Sequence, residues 1–283
     1  MTESSPAFER VLRHRRTLLA FDWRRMLQYR DLLFLLVRRD FVARYQQTVL
    51  GPAWFVLQAL VATGAFTLVF GFGLRTPTDG LPPHLFYFSG MLLWGFFANI
   101  VGGAGNTFQM NAAVFTKVYF PRLIVPLAAM IGSLAPFGLQ LLVFLAFYAP
   151  AALGATWHAH VGALLLLPLV LAQTAVFGLG VSLLTSSLSA KYRDLQHALP
   201  FLLQVWMFVT PVIYPFSQLH GGARWLAALN PLTPLVELFR LGFFGAGTTD
   251  AKFLGLSLAC TLLFLLLGLV AFQRAERTFA DTV

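Results

Sequence analysis

Six stretches of this chain are apolar over lengths near that of a lipid bilayer: residues 51–74, 85–101, 123–153, 161–188, 199–214 and 253–272. A helix needs roughly 20 mostly apolar residues to cross the hydrocarbon core. Inside lipid the backbone must satisfy its own hydrogen bonds, so runs of this length fold as helices. The reading is an all-α integral membrane protein with six transmembrane helices. Composition agrees: 58% of residues are hydrophobic and 11% charged, against about 25% charged in soluble domains. The third and fourth stretches are long enough to tilt or protrude. The fifth is short and bounded by Pro200, Pro211 and Pro215, which predicts a kink.

Charge placement sets the orientation. Ten of the twenty Lys and Arg precede the first stretch: Arg10, Arg13, Arg15, Arg16, Arg24, Arg25, Arg30, Arg38, Arg39 and Arg44. With Lys117, Arg122, Lys191, Arg193, Arg274 and Arg277 they put sixteen cations on one side, against Arg75, Arg224, Arg240 and Lys252 on the other. The positive-inside rule then places both termini in the cytoplasm. A basic segment fused to spans faces anionic lipid rather than nucleic acid. After Arg15-Arg16 only a short apolar run precedes Asp22, so no cleaved leader is expected. Leu33, Leu36, Val37, Phe41 and Tyr45 recur at helical spacing, with Asp40 and Arg44 near the same face; this predicts an N-terminal amphipathic interface helix. The chain divides into a basic N-terminal part, 1–48, and a transmembrane domain, 49–283.

Residues 225–244 are apolar but broken by Asn230-Pro231 and Pro234, and they carry Glu237 and Arg240. A seventh span here would put the basic C-terminus outside. Two half-helices dipping in from the outer face fit better, since broken backbone is tolerated at membrane depth when protein surrounds it. Glu237 and Arg240, at i and i+3, neutralise one another in this reading.

The chain carries no GxxxxGK[ST] motif, no HExxH, no nucleophile elbow and one cysteine, Cys260. None of the eleven Asp and Glu falls inside the six stretches, which disfavours a proton relay. The energy for any transport must come from elsewhere. Two loops between spans draw notice. Asn111-Ala112-Ala113-Val114-Phe115-Thr116-Lys117-Val118-Tyr119-Phe120-Pro121-Arg122 reads either as a topology-setting turn or as a short helix docking into a partner, where aromatic and Arg anchors dominate binding. Ser189-Ala190-Lys191-Tyr192-Arg193-Asp194 admits the same two readings. Among 29 Phe, 7 Tyr and 6 Trp, most serve lipid contact and packing. Trp54, Phe55, Tyr87, Phe88, Trp94 and Phe97 are candidates to line a conduit, since ring faces suit a sliding sugar polymer. Two other classes stay open: a membrane glycosyl- or acyltransferase using His158, His160 or His197, and a proton-coupled flippase using Glu237.

Five ordered segments carry a family likeness: Arg39-Asp40 with Arg44-Tyr45 and Leu50-Gly51; the 116–122 run; Tyr192-Arg193-Asp194; Thr210-Pro211-Val212-Ile213-Tyr214-Pro215; and Asn230-Pro231. Through them the chain resembles the membrane subunit of bacterial ABC-2-type polysaccharide exporters, in the O-antigen and teichoic-acid branch. Ala59 and Ala190-Lys191 depart from the commoner pattern. The resemblance implies a homodimer in the bacterial inner membrane with two separate ATP-binding cassette subunits, which hold ATP and Mg. This chain then has no cofactor and no catalytic or metal site of its own. Contact with the cassette falls to Lys117, Tyr119, Phe120, Pro121 and Arg122, and to Lys191, Tyr192, Arg193 and Asp194. The implied substrate is a polysaccharide on undecaprenyl diphosphate, with teichoic acid or capsule as alternatives. Arg38, Arg39 and Arg44 meet either the carrier diphosphate or anionic headgroups.

Overall fold

The computed structural model describes residues 28–105, 107–110, 120–154, 162–192, 194–248 and 250–282, and these residues form helices and connections with no strand among them. In chain order the helices are α1 (Arg30–Tyr45), α2 (Ala53–Phe66, continued by a π-helical turn Thr67–Gly73), α3 (Pro83–Ala104), α4 (Thr107–Met110), α5 (Ile124–Gly132), α6 (Leu134–Gly154), α7 (Gly162–Lys191), α8 (Leu195–Val209), α9 (Gly221–Ala228), α10 (Leu232–Phe244) and α11 (Ala251–Thr282).

Five elements are long and apolar enough to cross a membrane: α2 with its π turn, α3, α5 with α6, α7 and α11. The third is interrupted at Ser133, whose hydroxyl donates back to the Ala129 carbonyl while Pro136 removes a donor from the first turn of α6. The expected fifth span is the one that differs. Its helix, α8, starts at Leu195 and has 15 residues, about 22 Å at 1.5 Å per residue. Pro211 forces the preceding Thr210 into extended backbone and ends the helix there.

The helix α3 is the centre of the bundle: 72% of its most apolar stretch is buried, against 11% for α2. Its start is favoured by Pro83, whose missing N–H costs nothing in the first turn. Around it the aromatic side chains interlock rather than scatter. Phe97 stacks on Phe177 at 5.2 Å and meets Trp206 edge-on at 5.3 Å, while Phe144 contacts Phe88, Phe239, Phe243 and Phe244. Helices α7 and α11 cross backbone to backbone. A Cβ on Gly180 would stand 2.6 Å from the Leu265 nitrogen, and one on Gly268 would stand 2.4 Å from the Gly180 oxygen. Small residues at such a crossing substitute close van der Waals contact for the hydrophobic effect, which is absent between helices in lipid.

The interrupted apolar segment forms two short helices, α9 and α10, joined at Asn230-Pro231. Asn230 holds the joint: its Oδ1 accepts from Leu232 N at 3.2 Å and its Nδ2 donates to Thr210 Oγ1 at 2.8 Å. Gly245 closes α10 in the left-handed conformation, donating to the Leu241 carbonyl.

Candidate functional site

A small core sits at the end of the bundle that carries most of the described basic residues. Leu36 of α1, Phe108 of α4, Phe120, Ile124 of α5, Leu183 of α7 and Phe272 of α11 are buried together there, with Ala190 packed against them. Three segments singled out in the sequence thus meet through apolar contact: the interface helix, the end of the 116–122 run and the end of α7. Phe120 is an anchor inside this core, and the Pro121 carbonyl accepts from Ile124 N at 3.0 Å to start α5. Arg122 reaches α11, where its Nη1 donates to the Glu276 carbonyl at 3.1 Å and its Nε lies 4.0 Å from Glu276 Oε1. Lys191 rests over the Tyr192 ring at 5.1 Å, and Tyr192 is exposed. Asp194 occupies the start of α8, where its backbone carbonyl receives His197 N and Ala198 N and its side chain makes no cap. Lys117, Tyr119 and Arg193 lie outside the described residues, as do His158 and His160; His197 is exposed on α8.

The interface helix α1 lies along α5, and between them a groove of about 680 Å³ opens toward α3 and the start of α6. Arg39 and Arg44 line it, whereas Arg38 points elsewhere and is exposed. The 100° step of a helix separates Arg38 from its neighbour. At the groove's rim the Asp40 carboxylate takes Arg39 Nη2 at 2.7 Å and Nε at 2.8 Å. Tyr45 packs edge-on against Phe55 at 5.3 Å and closes one end. Burial pushes the Tyr45 phenol up, against the lowering pull of Arg44, so it stays a neutral hydroxyl. The opposite wall is Ala98, Asn99 and Gly102 of α3 with Ala129 and Gly132 of α5. Sequence reading missed this wall, although the run Gly102-Gly103-Ala104-Gly105 is visible; a glycine cluster at a span's end reads as a helix stop.

The six aromatic conduit candidates separate. Phe55, Tyr87, Phe88, Trp94 and Phe97 are buried within the protomer, four of them in the bundle's main core. Trp54 presents its ring outward, 43% exposed.

The third constellation lies at the other end of α3. Arg240 and Glu237 are each 1% exposed, and Arg240 Nη1 donates to Glu237 Oε1 at 3.1 Å. The guanidinium also donates to Ser89 Oγ, the Phe86 carbonyl and the Val212 carbonyl, each at 3.3 Å, and lies 3.7 Å above the Phe86 ring. Glu237 Oε2 accepts from Thr248 N at 3.1 Å. Sequence spacing pointed to the pair; its partners from α3 and the 210–215 stretch are long-range and leave no local signal. The arrangement is a buried ion pair, with a partner for every guanidinium nitrogen, that ties α10 to α3. Among the described residues no group of His, Cys, Asp and Glu is placed to hold a metal.

The profile of the ABC-2 type transporter family matches residues 31–244, from the start of the interface helix to the end of α10. The chain belongs to the ABC-2 type transporter family. Like the family, it is a multi-pass membrane protein. It is 30% identical over 262 residues to the O-antigen export system permease protein RfbA of Myxococcus xanthus, covering 92% of this chain and 98% of that protein. An RfbA of Klebsiella pneumoniae is 24% identical over 259 residues, covering 89% and 94%. The polysialic acid transport protein KpsM of Escherichia coli is 22% identical over 250 residues, covering 87% and 93%. The family match takes in α1, the Phe120–Arg122 turn, the Arg39–Arg44 groove and the Glu237–Arg240 pair.

Proposed function

We propose that this chain is the transmembrane subunit of an ATP-driven exporter that carries a lipid-linked, O-antigen-like polysaccharide across the bacterial inner membrane. The observation that carries the reading is the end-to-end match to an O-antigen export permease. Teichoic acid or capsular polysaccharide fits the same machinery, and the likeness to a polysialic acid transporter keeps capsule in view. Two copies of the chain pair with two ATP-binding cassette subunits that hold ATP and Mg, and the energy for movement enters from them.

In this reading the basic end faces the cytoplasm. The short helix α8 and the buried non-helical stretch 210–215 together make a sixth crossing, while α9 and α10 dip in from the outer face. The cassette presses on Lys117, Tyr119, Phe120, Pro121 and Arg122, and on Lys191, Tyr192, Arg193 and Asp194. Displacement passes to α11 through Arg122–Glu276 and through Phe108 against Phe272 at 4.7 Å. The helix α11 has 32 residues, about 48 Å at 1.5 Å per residue. At its far end Ser257 Oγ donates to the Pro231 carbonyl at 2.7 Å and Phe253 packs on Phe216. One stiff element thus reaches from the cassette contact to the joint of the broken-helix pair. A conduit walled by Tyr87, Phe88, Trp94 and Phe97 requires α3 to part from its neighbours during transport; Trp54 lines it from the start. Arg39 and Arg44, with Arg38 outside the groove, meet the carrier diphosphate and anionic lipid.

Loss of the gene is expected to remove surface polysaccharide and to leave carrier-linked polymer on the cytoplasmic side. Absence of that accumulation overturns the export reading. Charge reversal at Lys117 and Arg122 together is expected to leave membrane insertion intact and cassette ATP turnover running, while export falls at least tenfold. Normal export in that variant removes the coupling assignment.

A further inference from the structure

Hydroxyls buried in this bundle mostly close on their own helix. Ser89, Ser182, Thr185 and Ser187 each donate to a carbonyl three or four residues before them, the habit of Ser and Thr within helices. Ser257 of α11 departs from it. It is fully buried, and its Oγ donates outside its own helix, to the Pro231 carbonyl at 2.7 Å. The same oxygen receives Gln173 Nε2 of α7 at 2.9 Å.

Chemistry fixes which group donates. A carbonyl has no proton to give, so the single proton of the Ser257 hydroxyl lies on the Pro231 side. Gln173 must then present its amide N–H, an orientation that follows from the network. A polar side chain inside an apolar span is costly and marks a function by default. On its other side the Asn230-Pro231 joint is tied to α8. Asn230 Nδ2 donates to Thr210 Oγ1 at 2.8 Å, and Thr210 Oγ1 donates to the Trp206 carbonyl at 3.1 Å. One string of hydrogen bonds thus runs from α7 through Ser257 and the joint to the end of α8.

We infer that Gln173 is a positioning residue: it decides which acceptor Ser257 serves, and so whether the Asn230-Pro231 joint is held to α11. An N–H donated to Ser257 Oγ strengthens the hydroxyl as a donor and leaves its proton for Pro231. In that state α7, α11 and the joint move together. Once the Gln173 bond is lost, the Phe253 carbonyl, four residues back on α11, becomes the competing acceptor, and the hydroxyl closes on its own helix as its neighbours do. The joint is then free of α11 and still tied to α8 through Asn230. The exchange swaps one hydrogen bond for another and leaves no buried hydroxyl unpaired, so neither state carries a large penalty. The inference rests on the proposed export function only for the use of this exchange, which is to release the broken-helix pair as polymer passes.

The test uses the purified full-length chain in nanodiscs of phosphatidylcholine. Backbone hydrogen exchange is read at Leu232 and Thr233, whose N–H groups bond to Asn230 across the joint. Gln173→Met keeps the length of the side chain and removes the donor. It is expected to speed exchange at the joint about fivefold, the worth of one net hydrogen bond, and to leave exchange along α7 unchanged. Gln173→Leu gives the same reading should the methionine variant fail to fold. Ser257→Ala is expected to match them. The double variant is expected to exchange no faster than either single one, because Gln173 acts on the joint only through Ser257. Additive effects assign Gln173 to packing and overturn the inference. A joint indifferent to Gln173→Met, or faster exchange spread through α7, overturns it as well. In cells Gln173→Met is expected to lower export several-fold while cassette ATP turnover continues; undiminished export overturns the use of the exchange in transport. The exchange cycle is read on the chain alone. Absence of carrier-linked polymer in the deletion strain would therefore remove the export reading and leave the positioning role of Gln173 to its own measurement.

Discussion

Arg240 is among the largest fully buried side chains in the bundle and its charge is neutralised by Glu237 three residues before it. A buried pair of this kind earns little net stability against an apolar replacement, yet losing one partner strands a charge. Glu237→Gln is therefore expected to lower stability by about 3 kcal/mol, read as a fall in the thermal unfolding midpoint in detergent. Glu237→Gln with Arg240→Met is expected to recover part of the loss. A double variant as unstable as the single one would remove the charge argument. At the opposite end, Asp40→Asn removes the carboxylate that competes for Arg39, so inorganic diphosphate is expected to bind several-fold more tightly, measured by calorimetry. The i, i+3 spacing of Glu237 and Arg240 was legible in the sequence. Arg240's contacts with Ser89, Phe86 and Val212 were not, because they join segments far apart in the chain.

Among the elements, the long helices follow from apolar length alone, and their ends fall within a few residues of the apolar runs, except that α11 runs on to Thr282, ten residues past its run. Two features needed local chemistry that length does not capture. The third span breaks at Ser133, and the fifth stretch loses its last residues to Thr210-Pro211, leaving a 15-residue helix. The crossing of α7 and α11 depends on which glycines face each other, and this yields a paired prediction. Gly268→Leu drives a side chain into the Gly180 carbonyl and is expected to cost about 3 kcal/mol. Gly255→Ala on the same helix meets nothing within 4 Å and is expected to be neutral or to stabilise by about 0.5 kcal/mol. Thermal unfolding of both variants checks the crossing, and equal effects would count against it.

For the whole molecule, the charge asymmetry makes a topological prediction. With Cys260→Ser as background, a cysteine at exposed position 220 is expected to react with a membrane-impermeant maleimide in intact spheroplasts. One at exposed position 277 is expected to react only after permeabilisation. Labelling of both from outside would give the chain an odd number of crossings and overturn the proposed six. The sequence by itself determined that this is a helical, multi-pass membrane chain without an ATPase motif, because apolar length, charge bias and the lack of a phosphate-binding loop are local properties. It also marked the segments that carry the family likeness. Tertiary structure alone decided which of those segments meet. It placed the interface helix beside the Phe120–Arg122 turn, opened a groove before two of three candidate arginines, and put most candidate conduit rings inside the protomer. Those outcomes depend on helix packing between residues distant in the chain, and no local pattern specifies it.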